Sequence, residues 1–167
     1  MTGQWPGRWR ATVSAVGVIL ASMAVGSERS ALALINESPS LPRGLYLRAG
    51  ATLERGAVVA IAQPAASRAY LMRLGMPNEV LLLKRVAAVG GDSVCAGSGI
   101  VRTPGRQVRT LDRDRQGAAL PVWRECRRLA RDELFLLGDT PASFDSRYFG
   151  PVLRGEAVGV YREVLTW

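Results

Sequence analysis

Among 167 residues the chain has no histidine, which removes Ser-His-Asp and Cys-His triads, His-ligated zinc and any imidazole base. A hydroxyl nucleophile here needs another base. Lys84 is the only lysine, so the other 21 of the 22 basic residues are arginine. A guanidinium does not deprotonate in proteins, whereas an amine does once its ammonium is destabilised. A position that requires a neutral amine is therefore where lysine survives in a chain that otherwise uses arginine. Lys84 lies in the run Val80-Leu81-Leu82-Leu83-Lys84-Arg85-Val86-Ala87-Ala88. Strand alternation places it on the face of Val80, Leu82, Val86 and Ala88, with Glu79 and Arg85 on the other. Bringing an amine from about 10.4 to about 7 or 8 takes about 4 kcal/mol against the ammonium, within the reach of burial. Taken alone, Lys84 equally fits a lysine whose head reaches out of a half-buried strand.

Two further segments carry groups that suit such a base. Asn36-Glu37-Ser38-Pro39-Ser40-Leu41-Pro42-Arg43-Gly44-Leu45-Tyr46 presents two hydroxyls, and on an extended path Ser38 and Ser40 point to the same side. One could attack while the other donates to the oxyanion, the pairing that acyl transfer requires. By itself a Ser-Pro-Ser segment is only a turn. The third segment runs Leu137-Gly138-Asp139-Thr140-Pro141-Ala142-Ser143-Phe144-Asp145-Ser146-Arg147-Tyr148. In it Asp145 and Arg147 are candidates for a structural ion pair and Ser143 for orienting an amine. An aspartic dyad of Asp139 and Asp145 fits poorly, because Arg147 sits beside one of them and no duplicated motif occurs. Cys95 and Cys126 lack Cys-x-x-Cys spacing, which argues against a metal site. In an oxidising compartment they could form one disulfide worth about 3 to 4 kcal/mol, the alternative being two buried thiols. Neither a metal nor a cofactor is called for.

The elements that must position these groups are mostly strands. With 48% hydrophobic and 22% charged residues the chain reads as one globular domain with an appendage. Residues 11–26 carry no charge, follow Trp5, Arg8, Trp9 and Arg10, and end at Ser27-Glu28-Arg29-Ser30. As a helix this run covers about 24 Å against a hydrocarbon core of about 30 Å, so thinning or the following 31–35 must complete a span. The reading is a cytoplasmic tail over 1–10, a transmembrane signal anchor with its juxtamembrane segment over 11–35, and an exported catalytic domain over 36–167. A cleaved signal peptide is the competitor, because Ala31-Leu32-Ala33 has the form of a cleavage site; both readings export the rest. Beyond it, apolar runs at 44–47, 57–62, 80–89, 93–95, 134–137 and 158–165 read as strands. Only 64–74 reads as helical or irregular, so the body is mainly β, a folded barrel-like set of sheets. The stretch 102–131, with nine arginines against Asp112, Asp114 and Glu125, reads as a solvated excursion closed by the cysteine pair. The alternative for it is a patch for phospholipid headgroups or DNA. The net charge of +8 is compatible with either partner and does not choose between them.

Taken in order after an N-terminal hydrophobic run, "NESPSLPRGLY", "LLLKRVAAVGGD" and "LFLLGDTPASFDSRYFGPV" resemble the bacterial type I signal peptidase superfamily of Ser-Lys proteases. The resemblance is strongest to its short branch, the TraF-type conjugative-transfer signal peptidases. It runs from about residue 10 to the end and is loose between Cys95 and Leu129. It implies Ser40 as nucleophile, Lys84 as general base, and Ser38 with the Ser40 N–H as the oxyanion hole. It further implies that Ser143 orients the amine, that Asp145 and Arg147 support the site, and that Gly138 and Asp139 are the Gly-Asp pair of the same box. The departures are Leu41 where the general enzymes have Met, Gly90 where the family often has proline, and Glu37 inside the serine motif. The implied activity is removal of leader peptides from exported preproteins, with maturation of a conjugative pilin, hydrolytic or head to tail, as the branch-level expectation. The implied setting is the bacterial inner membrane, crossed once, with the catalytic domain in the periplasm. Its partners there would be a preprotein or prepilin, the bilayer and other parts of the conjugation apparatus, with no specific nucleic acid. Two alternatives remain, a general secretory signal peptidase and a non-catalytic, membrane-tethered basic assembly module.

Overall fold

Runs of β-branched and aromatic residues between glycines and prolines fold into eleven strands, joined by two short α-helices and one 3-10 turn (Arg154–Glu156), in the computed structural model, which describes residues 31–167. The expected tail and anchor, up to residue 30, lie outside the described residues. Among the described residues no helix is long and apolar enough to cross a membrane. In chain order the elements are β1 (Ala33–Asn36), β2 (Gly44–Ala49), β3 (Val58–Ile61), α1 (Ala65–Arg73), β4 (Leu82–Val89), β5 (Ser93–Gly97), β6 (Ile100–Thr103) and β7 (Arg106–Arg109). They continue with β8 (Cys126–Arg128), β9 (Glu133–Leu137), α2 (Ser146–Phe149), β10 (Val152–Leu153) and β11 (Ala157–Thr166).

Seven strands form an antiparallel sheet in the order β1-β2-β11-β3-β4-β9-β10, open at β1 and β10. Residues 33–35, read from sequence as juxtamembrane, pair in β1 with Leu47 to Leu45 of β2. The sheet is buried on both faces around its centre, which is why β3 reads as an unbroken apolar run. On one face Val59, Ile61, Leu82, Val86, Leu134 and Leu136 pack with Tyr70 and Leu71 of α1. Leu41, Tyr46, Val58, Ala60, Leu83 and Tyr161 pack together on the other.

The simple alternation expected through Lys84 holds as far as Val86 and then fails. A bulge in the β4–β9 pairing lets Val86 face Leu136 and Ala88 face Phe135. The extra residue turns Ala88 over, out of the Val86 cluster and into a different core. That core joins Ala88, Phe135 and Leu137 of the large sheet to Val94, Val101, Trp123 and Leu129.

Part of the 102–131 stretch is not the solvated excursion expected. β7-β6-β5-β8 form a second, four-stranded sheet. Val101 faces Val108 across β6 and β7, and both point into the core shared with Trp123. Exposed Arg102 and Arg109 take the outer face. With one inward valine in each four-residue strand, the arginines dominate the composition and hide the alternation. Cys95 and Cys126 are directly paired across β5 and β8 and form a disulfide.

Candidate active site

Residues 38–41 turn back on themselves at Pro39-Ser40 and do not follow the extended path expected. The turn still brings the two hydroxyls together, with Ser38 Oγ 2.7 Å from Ser40 Oγ. Asn36, at the end of β1, organises it. Its Nδ2 donates to the carbonyls of Ser38, Leu41 and Pro42, each at 3.0 Å, and its Oδ1 accepts from Ser38 N–H at 3.3 Å and Ser38 Oγ–H at 3.0 Å. Sequence reasoning gave Asn36 no role; the available signal was an Asn at the head of a Ser-Pro turn, where a short amide replaces backbone partners. Tyr46 Oη donates to the Pro42 carbonyl at 2.8 Å and fixes the exit of the loop. From the opposite side, Asp139 N–H donates to the Ser40 carbonyl at 2.6 Å.

Lys84 of β4 meets this loop. Its Nζ donates to Ser40 Oγ at 3.0 Å and to the Leu83 carbonyl at 3.1 Å, and Lys84 and Ser40 are only 4% and 5% exposed. Burial lowers the Lys84 pKa from 10.5 to about 8; the nearby Asp145 carboxylate opposes that shift and the Arg147 guanidinium reinforces it. A substantial neutral fraction of the amine thus exists just above neutral pH, within hydrogen-bond reach of a hydroxyl. That is the requirement for a general base acting on a serine nucleophile.

The third segment supplies the frame. Asp145 caps α2 and takes both sides of the Arg147 guanidinium, Nε to Oδ1 and Nη2 to Oδ2 at 2.8 Å each. The same carboxylate accepts the Gly138 N–H at 2.8 Å and the Arg147 N–H at 3.1 Å. Arg147, fully buried, spends its other N–H groups on the carbonyls of Arg109, Thr140, Pro141 and Ser143. Every partner of this buried pair is satisfied, the condition under which such a pair is tolerated. Gly138 is obligatory, because a Cβ there would collide with the Ser143 side chain and come within 2.9 Å of the Ser40 carbonyl.

Ser38, Ser40, Lys84, Gly138, Ser143, Asp145 and Arg147 are gathered here, and the expected hydrogen bond from Ser143 to the amine is not formed. The buried Ser143 Oγ has no hydrogen-bond partner, and Lys84 leans on the Leu83 carbonyl instead. Asp139 contributes its backbone to the serine loop while its carboxylate is gripped by Arg85, Nε to Oδ1 at 3.0 Å and Nη2 to Oδ2 at 2.8 Å. Arg106 of β7 reaches the Asp139 carbonyl at 3.0 Å. These arginine contacts hold the Asp139 carboxyl below its ordinary pKa, chiefly through the Arg85 hydrogen bonds. Cys95 and Cys126 serve the second sheet and not this cluster. Among the described residues no three His, Cys, Asp or Glu side chains are placed to hold a metal.

Comparison with known proteins gives a consistent family. Residues 7–167 match the family described as signal peptidase, peptidase S26. A plasmid transfer protein TraF of Escherichia coli is 34% identical over 166 residues, covering 92% of this chain and 94% of its own length. A second Escherichia coli protein of that name is 32% identical over 170 residues, with 92% and 96% covered. Among solved structures, a signal peptidase I from Enterococcus faecalis aligns at a TM-score of 0.40 and 20% identity, over 66% of this chain and 97% of its own.

Proposed function

The chain belongs to the peptidase S26 family of signal peptidases, and from that membership we propose that it is a membrane-anchored serine endopeptidase that matures a conjugative pilin precursor, with Ser40 as nucleophile and Lys84 as general base. The observation that carries the reading is the buried 3.0 Å contact between Lys84 Nζ and Ser40 Oγ. The plasmid transfer naming of the two Escherichia coli relatives supports the conjugative branch.

In the resting arrangement Lys84 donates to Ser40 Oγ. Once the amine loses its proton the bond reverses, and Ser40 O–H points at Nζ. Nζ takes that proton as Oγ attacks the carbonyl carbon of the scissile bond, and the Ser38 hydroxyl and the Ser40 N–H hold the tetrahedral oxyanion. The Lys84 ammonium then protonates the leaving amine and an acyl-enzyme remains. Water, deprotonated by Lys84, releases the acid; an incoming amine in place of water gives a new peptide bond, and with the precursor's own amino terminus a ring. The uncharged run 11–26 holds the enzyme at the inner membrane with this site on the periplasmic face, where a membrane-held precursor meets it at raised effective concentration.

The test is to incubate the full chain in detergent with candidate pilin precursors and record product masses. The expected result is a shortened product, either linear or one water lighter, that disappears in Ser40→Ala and in Lys84→Arg. Processing that persists in both variants, or no mass change with any precursor, overturns the reading. Cleavage of generic preproteins in preference to pilin precursors would move the chain to general secretion.

A further inference from the structure

Immediately beside Ser40 the surface opens into a cavity of about 320 Å³. Tyr70 and Leu74 of α1, Leu111 and Leu120 of the 110–125 loop, and Phe144 and Tyr148 make it largely apolar. The wall is built before any ligand arrives. Phe144 lies 4.6 Å from the Tyr70 ring and 5.3 Å, stacked, from Tyr148. Both phenols are tethered, Tyr70 Oη donating to Asp114 Oδ2 at 3.1 Å and Tyr148 Oη accepting from Leu111 N–H at 3.2 Å. The lip, by contrast, carries apolar groups left in solvent, with Leu74 and Leu111 at 45% and 47% exposed.

Two observations connect this cavity to the chemistry. Pro39, which directly precedes the candidate nucleophile, lines it, as does Ser143. A Cβ on Gly138 would meet both the Ser143 side chain and the Ser40 carbonyl oxygen, so Ser143 and the candidate nucleophile's backbone flank the same glycine, and through Pro39 the cavity begins one residue from Ser40. A cavity of this size far exceeds the space a methyl group needs.

We propose that this cavity is a substrate subsite for a bulky apolar side chain, of leucine, methionine or phenylalanine size, within three residues of the scissile bond. The inference rests on the peptidase reading of Ser40. The side chain fills the Tyr70–Phe144–Tyr148 wall and covers Leu74 and Leu111. The wall is preorganised, so little ordering cost offsets the gain on binding.

The experiment uses the full chain in detergent and peptides spanning the cleavage site of a processed precursor. Each of the three positions on either side of the bond is set in turn to Ala and to Leu, and the Leu/Ala ratio of kcat/KM is read. One position is expected to give a ratio of at least about 10, because a single methylene in an apolar pocket is already worth about 10 to 200-fold. Leu111→Trp, which closes the mouth, and Leu74→Glu, which charges it, should each bring that ratio towards one. Ratios near one at all six positions, or a high ratio that neither variant changes, overturn the subsite while leaving the peptidase reading in place. Cleavage that survives in Ser40→Ala overturns the peptidase reading and the subsite together.

Discussion

Lys84 combines two demands, a buried position and a proton it must release. Burial brings its pKa down to about 8, so the competent neutral form is scarce at pH 6 and dominant at pH 9. Peptidase activity should therefore rise with pH along a single protonation curve with its midpoint near 8, measured as kcat/KM from pH 6 to 10. The same shift affects stability in a defined direction. The unfolded chain binds more protons than the folded one between about pH 8 and 10.5, so stability rises with pH through that window, and below it the buried ammonium costs about 3 kcal/mol. Lys84→Met should accordingly abolish cleavage yet raise the melting temperature at pH 7; a lower melting temperature would mean that the Leu83 and Ser40 hydrogen bonds outweigh desolvation. Asn36 acts on the site without reacting. Asn36→Ala removes three donations to the serine loop and the acceptor for Ser38, and misplacement of about 1 Å can cost about a hundredfold in rate. A fall of that order in kcat with KM little changed is the expected split, and an unchanged kcat would deny Asn36 a positioning role. Lys84 was legible in the sequence because a lone lysine in an arginine chain without histidine singles itself out. Asn36 was not, because its importance lies in five hydrogen bonds made across a turn whose shape the sequence does not display.

At the level of elements, the site is a junction of three chain segments, the β1–β2 turn, β4, and the β9–α2 loop, locked together by the Asp145–Arg147 pair. Asp145→Asn leaves Arg147 charged and buried without its counter-ion, a change that costs about 3–5 kcal/mol and should appear as a lower urea midpoint. It also withdraws the charge that holds the Lys84 pKa up. In protein that remains folded, the activity midpoint should then move below 8, a shift that mere loosening of the loop would not produce. The strands at the heart of this junction were readable, because β2, β3, β4, β9 and β11 are apolar runs bounded by glycine or proline. The β4 bulge was not, since a single inserted residue leaves composition and apolar content untouched while inverting everything after it. β1 was obscured for another reason: Ala31 to Ile35 are all apolar, and Leu32 and Ile35 remain exposed at the sheet edge, so no alternation marks the strand.

Across the whole molecule, the second sheet is a buttress attached to the site at one edge and stapled at the other. β7 carries the attachment, through Arg106 to the Asp139 carbonyl and through the Arg109 carbonyl to Arg147. At the far edge, the disulfide ties β5 to β8 and closes a loop with a sequence separation of 31. Between the edges the Trp123–Phe135 core holds the two sheets together, with ring centroids 5.1 Å apart. Loop closure of this length stabilises the fold by about 3 to 4 kcal/mol on the chain-entropy account, acting mainly on the unfolded chain. The β7 contacts and the shared core are non-covalent and survive reduction. Treatment with dithiothreitol should therefore lower the guanidinium midpoint while leaving kcat of the still-folded enzyme within about twofold, and Cys95→Ser/Cys126→Ser should start at the lower midpoint and ignore the reductant. A parallel collapse of kcat in reduced protein that still shows native near-UV dichroism would give the staple a second task, holding β7 against Arg147. No shift in midpoint would mean that the small sheet is held by its apolar core alone.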